Sequence, residues 1–175
     1  KKLWDMGEKG IKFESYQARI YPHADLFSHI LGQIDNDNYG ISGVEKYLDK
    51  DLKNLKKINK PLKLTLDTNI QFLIKDELEK SIESFKAKGA AGLLMNAKNG
   101  EVLSLISLPD YNINIRKNIT GDFYINKITK GVYELGSVFK TFTFAAGINE
   151  NEIEPNTLFE DLPKNLTCAG RSIRE

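Results

Sequence analysis

Ile70, Ile74, Leu78, Ile82 and Phe85 follow one another at steps of four, four, four and three residues. That spacing puts one apolar stripe on a single α-helix. Asp67-Thr68 stands where an N-terminal cap belongs, and Lys88-Gly89 where the helix should stop. Directly after it come two apolar runs, Ala90 to Ala97 and Glu101 to Leu108. Between them sits Asn99-Gly100, the pair preferred in a tight type I′ hairpin because both central residues take positive φ. A helix running straight into a hairpin predicts a fold that mixes helix and strand.

The chain on either side is less regular. Residues 1 to about 60 carry short apolar clusters (Ile11, Phe13 and Ile20, then Leu26, Phe27, Ile30 and Leu31) broken by turn-formers, and Asp35 to Gly40 reads as a loop. Ser42 and Glu45 have capping-box spacing and open a short helix with Tyr47, Leu48, Leu52 and Leu55 on one side. The charged tract Lys50 to Lys60 reads as a solvated helix face or linker. Pro61 marks a boundary, after which Leu62, Leu64 and Leu66 alternate with polar residues as in a strand. Pro109 ends the hairpin, and Asp110 to Lys130 is expected to be a long loop with short helical pieces. Ser137 to Ile148 suggests a helix buried on most of its circumference, and Asn151 to Glu175 has loop composition.

Composition removes several function classes. Lys+Arg is 25 and Asp+Glu is 24, so a net charge of +1 offers no general attraction to nucleic acid or anionic lipid. The longest uncharged stretches are nine residues, as in Gly89 to Ala97, far short of the ~20 that a membrane helix needs. No signal peptide opens the chain; Lys1-Lys2-Leu3-Trp4 without an initiator Met reads as the interior of a longer protein. A single cysteine, Cys168, excludes an internal disulfide and any multi-Cys metal site. His23 and His29 lie six apart with no Cys or acidic cluster around them, so a structural role is expected for both, and no metal ligand set emerges. Cys168 has no nearby histidine and reads as a bystander thiol.

Ser137-Val138-Phe139-Lys140 is the remaining candidate for chemistry. A hydroxyl and an amine three apart share one helix face. A serine at a helix start also has unpaired N–H groups beside it, which suits a nucleophile whose tetrahedral intermediate needs an oxyanion hole. Lys140 could take the serine proton only if neutral, and the reference lysine pKa of about 10.4 would have to fall substantially. The tetrapeptide alone is weak: with nine serines and 21 lysines, chance supplies about one Ser-x-x-Lys. Taken by itself it fits a capped core helix with an exposed lysine equally well.

Its context is more specific. Tyr133-Glu134-Leu135-Gly136-Ser137-Val138-Phe139-Lys140 resembles the active-site segment of class B penicillin-binding proteins, the serine D,D-transpeptidases of peptidoglycan synthesis. Arg19-Ile20-Tyr21-Pro22, His29-Ile30-Leu31-Gly32 and Gly40-Ile41-Ser42-Gly43-Val44-Glu45 resemble that family's segments ahead of the catalytic domain. Leu64-Thr65-Leu66-Asp67 with Gln71 resembles the opening of the catalytic domain, and Asn99-Gly100-Glu101-Val102-Leu103 through Ser107-Leu108-Pro109-Asp110-Tyr111-Asn112 the hairpin leading to the site. The wording around His29 and Glu134 looks most like the division-specific, penicillin-binding protein 3 type. The chain departs from the family at Leu135 (usually Pro), Lys127 (commonly Arg) and Ile113 (often Pro).

The resemblance implies an α+β fold: a partial, serine β-lactamase-like transpeptidase domain over residues 61–175, preceded by the end of a pedestal or dimerisation domain over residues 1–60. It implies Ser137 as the acyl-accepting nucleophile and Lys140 as its proton-transfer partner. The substrate would be the D-Ala-D-Ala end of a peptidoglycan stem peptide, β-lactams would acylate the same serine, and neither cofactor nor metal is implied. The parent would sit in a bacterial inner membrane with its chemistry in the periplasm, alongside a septal glycan polymerase and other division proteins. The family's Ser-x-Asn and Lys-Thr/Ser-Gly motifs would follow Glu175, so the chain as given is expected to be catalytically incomplete. An elongation-type transpeptidase and a β-lactam sensor domain share the same catalytic string, and a non-catalytic scaffold with Ser137 as a helix cap remains open.

Overall fold

The computed structural model describes residues 5–174 except 8–9, 13, 17, 58, 116–120 and 162. The chain forms two compact units, Lys1–Val132 and Tyr133–Glu175. The first contains α1 (Ser28–Leu31), α2 (Gly43–Tyr47), α3 (Asp49–Lys57), α4 (Thr68–Phe85), β1 (Ala90–Met95), β2 (Val102–Leu108) and α5 (Gly121–Tyr124). The second contains a 3₁₀ turn (Gly136–Phe139), α6 (Lys140–Asn149), β3 (Asn165–Cys168) and β4 (Arg171–Arg174).

Helix α4 and the β1–β2 hairpin form the frame of the first unit. The Asp67 carboxylate caps α4 by accepting from the N–H groups of Asn69 (2.9 Å) and Ile70 (3.0 Å). The helix stops earlier than Gly89 would have it. Lys86 adopts the left-handed conformation (φ 51°), and the Ala87 N–H returns to the Ile82 carbonyl at 3.1 Å. Phe85, the last of the apolar stripe, is therefore at the helix end and 82% exposed. Gly89 instead makes room for the hairpin, since a Cβ there would come within 2.5 Å of the Leu108 carbonyl oxygen. At Gly92 the α4 side chains Ile74 and Leu78 approach so closely that a Cβ would meet both at 3.2 Å.

The strands pair antiparallel, Ala90 opposite Leu108 and Leu93 opposite Leu105, with a bulge at Leu94/Met95. Their connection is wider than the expected two-residue turn. Asn96 and Gly100 close it (Gly100 N–H to Asn96 O, 2.8 Å), and of Asn99-Gly100 only Gly100 has positive φ (77°). The amide oxygens of Asn96 and Asn99 accept the N–H groups of Lys98 and Glu101, side-chain turns that compete with the type I′ geometry. A turn with positive φ at both central residues occurs instead at Ala169-Gly170 (50° and 75°), joining β3 to β4 within a stretch of loop composition.

Two further expectations are corrected. Leu62 to Leu66 does not become a strand: Leu64 and Leu66 turn inward, and among the described residues the segment meets β2 through the Asp67 N–H to Leu103 O bond (2.9 Å) and the Thr65 hydroxyl to Val102 O (2.6 Å). No capping box forms at Ser42, because the Ser42 hydroxyl accepts the Gln33 N–H at 2.9 Å and the Glu45 carboxylate is taken by Arg19 and Tyr21. The expected single helix here is two, α2 and α3, and Tyr47 is 88% exposed.

The elements on both sides of residue 60 pack within the first unit. Gln71 of α4, with no exposed surface, donates to Leu26 O (2.9 Å) and Leu105 O (2.8 Å) and accepts from the Leu105 N–H (3.0 Å) and the Ser104 hydroxyl (2.8 Å). Lys75, one turn on, bridges Asp25 (2.5 Å) and Asp110 (2.6 Å). The Asn114 amide holds both backbone groups of Tyr21, accepting its N–H at 3.0 Å and donating to its carbonyl at 2.8 Å. Tyr21, Tyr111 and Ile113 form a buried cluster with Leu31 packed on it.

Gln71→Ala would leave buried donors and acceptors on both sides without partners, at about 1–3 kcal/mol each before relaxation. Urea denaturation should show a loss of at least ~3 kcal/mol.

The pH response follows from three groups. Burial pushes the His29 imidazole below the ordinary histidine range, against the opposing hydrogen bond to the Pro109 carbonyl (3.3 Å). Burial opposes ionisation of Asp25 most strongly, but the Lys75 hydrogen bond and charge, together with the backbone N–H groups of Asp25 and Leu26, outweigh it and the carboxyl is lowered. Burial likewise opposes the Lys75 charge, and the bonds to Asp110 and Asp25 outweigh it, so its pKa is raised. His29 thus stabilises fully above about pH 6.5 and loses that contribution in acid; Asp25 does so above about pH 4, and Lys75 below about pH 10.5. Melting temperature should fall as pH drops below about 6.5, and His29→Gln should remove that step.

Candidate active site

Ser137 lies in the 3₁₀ turn Gly136–Phe139, and Lys140 opens α6 directly behind it. The Lys140 N–H donates to the Ser137 carbonyl. Serine and lysine are thus joined by one tight turn, and in 3₁₀ geometry side chains at i and i+3 eclipse along the axis. The sequence puts Ser137 at the start of an α-helix; in the structure a 3₁₀ turn comes first and the α-helix begins at Lys140. Gly136, just before the serine, has φ +55° with nothing within 4 Å of where a Cβ would stand. Glycine is used here for its conformation, not for space.

Both candidate residues are exposed, and so is nearly all of α6. Phe139 and Phe142 face each other at 5.6 Å but remain 58% and 63% exposed, and Phe144 and Ile148 are exposed as well. The expectation of a helix buried on most of its circumference is therefore corrected. A turn, one helix and a hairpin of four-residue strands cannot cover both faces of a helix. Within the second unit α6 is closed at its C-terminus by Asn151 (φ 59°) and by Gly147, where a Cβ would meet the Ile153 side chain at 3.0 Å.

The other candidates take structural places. His29 stands edge-on to Tyr111 (5.5 Å) with its Nε2 on Pro109 O, and His23 edge-on to Phe27 (5.6 Å). Cys168 is exposed at the end of β3. Among the described residues no group of three His, Cys, Asp or Glu converges to hold a metal. Ile113, which stands where the resemblance would often have Pro, is 1% exposed in the core of the first unit.

Three polar residues that organise the first unit belong to no chemical motif: Gln71, Asn114 and Asn126. A polar side chain inside an apolar helical stripe is the available signal for Gln71, which lies three and seven residues before Ile74 and Leu78. Nothing local marks the two asparagines, whose partners are 93 and 97 residues away in the chain.

Residues 90–172 match the penicillin-binding protein transpeptidase domain. Among curated proteins, the chain is 36% identical over 148 residues to a probable peptidoglycan D,D-transpeptidase FtsI of Caulobacter vibrioides, covering 84% of this chain and 25% of that protein. It is 29% identical over 170 residues to stage V sporulation protein D of Bacillus subtilis, covering 83% and 26%. Against the peptidoglycan D,D-transpeptidase FtsI of Escherichia coli K12 it is 24% identical over 188 residues, covering 95% and 32%. The chain thus spans about a quarter to a third of the length of these relatives. A crystal structure of penicillin-binding protein 3 from Mycobacterium tuberculosis superposes with a TM-score of 0.72 at 24% identity, covering 90% of this chain and 37% of that one. That likeness gives the fold.

The turn itself is open to test. Gly136→Ala forces a side chain into the left-handed region at roughly 1–2 kcal/mol. Hydrogen exchange of the Lys140 amide, which closes the turn on Ser137, should speed up about tenfold or more.

Proposed function

We propose that this chain belongs to the penicillin-binding protein transpeptidase family, class B and of the penicillin-binding protein 3 type, and that the protein carrying it is a septal peptidoglycan D,D-transpeptidase. Ser137 is the nucleophile. Its Oγ attacks the carbonyl between the two D-alanines of a stem peptide while Lys140 Nζ accepts the hydroxyl proton. The tetrahedral intermediate collapses, the C–N bond breaks, and D-Ala leaves with a proton. The acyl group then passes from Ser137 to an amine of a neighbouring strand, restoring the hydroxyl. A β-lactam would open on the same oxygen and remain there.

The observation that supports this most directly is the 3₁₀ turn that joins Ser137 to Lys140 and stands both at the surface. Residues 1–60 would be the end of the pedestal and residues 61–175 the opening of the catalytic domain. No helix among the described residues is long and apolar enough to cross a membrane. The proposal extends to anchoring of the whole protein in the inner membrane with a periplasmic site, and to contact with a septal glycan polymerase.

Fluorescent penicillin labelling of the full-length gene product tests the proposal. Ser137→Ala should abolish labelling without moving the melting temperature, and unchanged labelling would refute the site. Lys140→Arg keeps the charge but cannot deprotonate, and should slow acylation at least ~100-fold.

A further inference from the structure

We propose that a cleft within the first unit, walled by α1 and α2 on one side and by Tyr111, Tyr124 and the turn over residues 126–130 on the other, binds a small carboxylate whose body is a ring. The inference is independent of the Ser137 assignment, since every residue lining the cleft belongs to the first unit.

The cleft holds about 520 Å³, within the ~300–1,000 Å³ of small-molecule sites. Ile30, Ile41, Val44 and Leu105 supply apolar wall. Tyr47, Tyr111 and Tyr124 add rings, the last two with centroids 5.1 Å apart, and such rings offer flat apolar area to another ring. The polar lining is rich in donors. Lys46 and Lys130 both line the cleft, and neither ammonium has an ion-pair or hydrogen-bond partner among the described residues. The Ser42 hydroxyl accepts the Gln33 N–H and still has its own hydrogen to give. Ser28, 1% exposed, has a hydroxyl without a partner among the described residues. Against this no Asp or Glu of the described residues lines the cleft, although the chain carries 24 of them to 25 Lys and Arg. Two unpaired cations and neutral donors with no charged acceptor select an anion, and a carboxylate takes such donors through both oxygens.

The walls are fixed without a ligand. On one side Gly43 (φ 57°) lies so near α1 that a Cβ would stand 2.5 Å from the Ile30 carbonyl oxygen. On the other, the Asn126 Oδ1 accepts the N–H groups of Ile128 (3.0 Å) and Thr129 (3.3 Å), and its carbonyl accepts the Lys130 N–H (2.9 Å). The Asn126 Nδ2 then donates across to the His29 carbonyl at 3.3 Å. From β2 the buried Ser107 hydroxyl donates to Ile125 O (3.2 Å) and accepts the Lys127 N–H (2.9 Å). A cleft held open in this way spends little of its binding energy on ordering itself.

Isothermal titration of the full-length protein at low ionic strength tests the site. N-acetylmuramic acid, a sugar ring with a carboxylate, or benzoate, an aromatic ring with one, should bind, and the tighter of the two identifies the body. The neutral counterparts N-acetylglucosamine and benzyl alcohol should bind at least ~10-fold more weakly. Lys46→Ala and Lys130→Ala should each weaken the acid about threefold and the double variant about tenfold, while Lys→Arg at both positions retains affinity. Thr129→Trp, a bulky replacement at an exposed lining position, should abolish binding with an unchanged melting temperature. If Thr129→Trp does not fold, the double lysine variant decides. Failure of both acids to bind, or wild-type affinity in the double alanine variant, overturns the proposal.

Discussion

Gln71 carries the constraint on which the first unit depends. An amide with no exposed surface must find partners for two donors and two acceptor sites, and here all are supplied by protein: Leu26 O, Leu105 O, Leu105 N–H and Ser104 Oγ. Because those partners belong to the N-terminal segment and to β2, satisfying one side chain fixes three elements at once. An apolar residue would gain burial but would leave the same backbone groups unpaired. The side chain therefore specifies register as well as contributing stability, since a slip of β2 by one residue would offer the amide the wrong backbone groups.

Around that pin the short motifs behave as joints. Arg19 meets the Glu45 carboxylate with two nitrogens (2.8 and 2.9 Å), and the Tyr21 hydroxyl shares it at 3.1 Å. Gly32 and the Ser42–Gly43 backbone cross so closely that a Cβ on Gly32 would fall 2.1 Å from the Ser42 carbonyl oxygen. The blocks that resemble family segments ahead of the catalytic domain thus contact one another and the hairpin, through backbone crossings, a forked ion pair and amides. Such interactions tolerate little substitution, which gives a physical reason for these strings to be recognisable.

The candidate nucleophile sits in a different setting. Its turn is local, built from Gly136 and three successive residues, and it owes its shape to backbone conformation instead of burial. Local construction makes the Ser137–Lys140 spacing legible in sequence, although the 3₁₀ form of the turn that joins them is not. Asn126 is the opposite case: a residue in a loop-like stretch whose significance comes from a partner 97 positions away.

What near neighbours in the chain decide is readable before any folding is known. The apolar stripe of α4, the Asp67 cap, the two strands, the break at Pro109 and the Ser137–Lys140 spacing all follow from periods and caps that act over a few residues. The folded arrangement ruled wherever a local preference met a remote competitor. Ser42 and Glu45 gave up their capping box to Gln33, Arg19 and Tyr21, and Leu62 to Leu66 stayed out of the sheet, the chain meeting β2 by one backbone bond at Asp67. Asn99-Gly100 yielded its tight turn to the side-chain turns of Asn96 and Asn99, while Ala169-Gly170 took one in a stretch that composition reads as loop. Hydrogen-bond partners far apart in the chain leave no period, so only the folded coordinates could identify Asn114 and Asn126 as side chains that hold the first unit together, and could name the partners of Gln71.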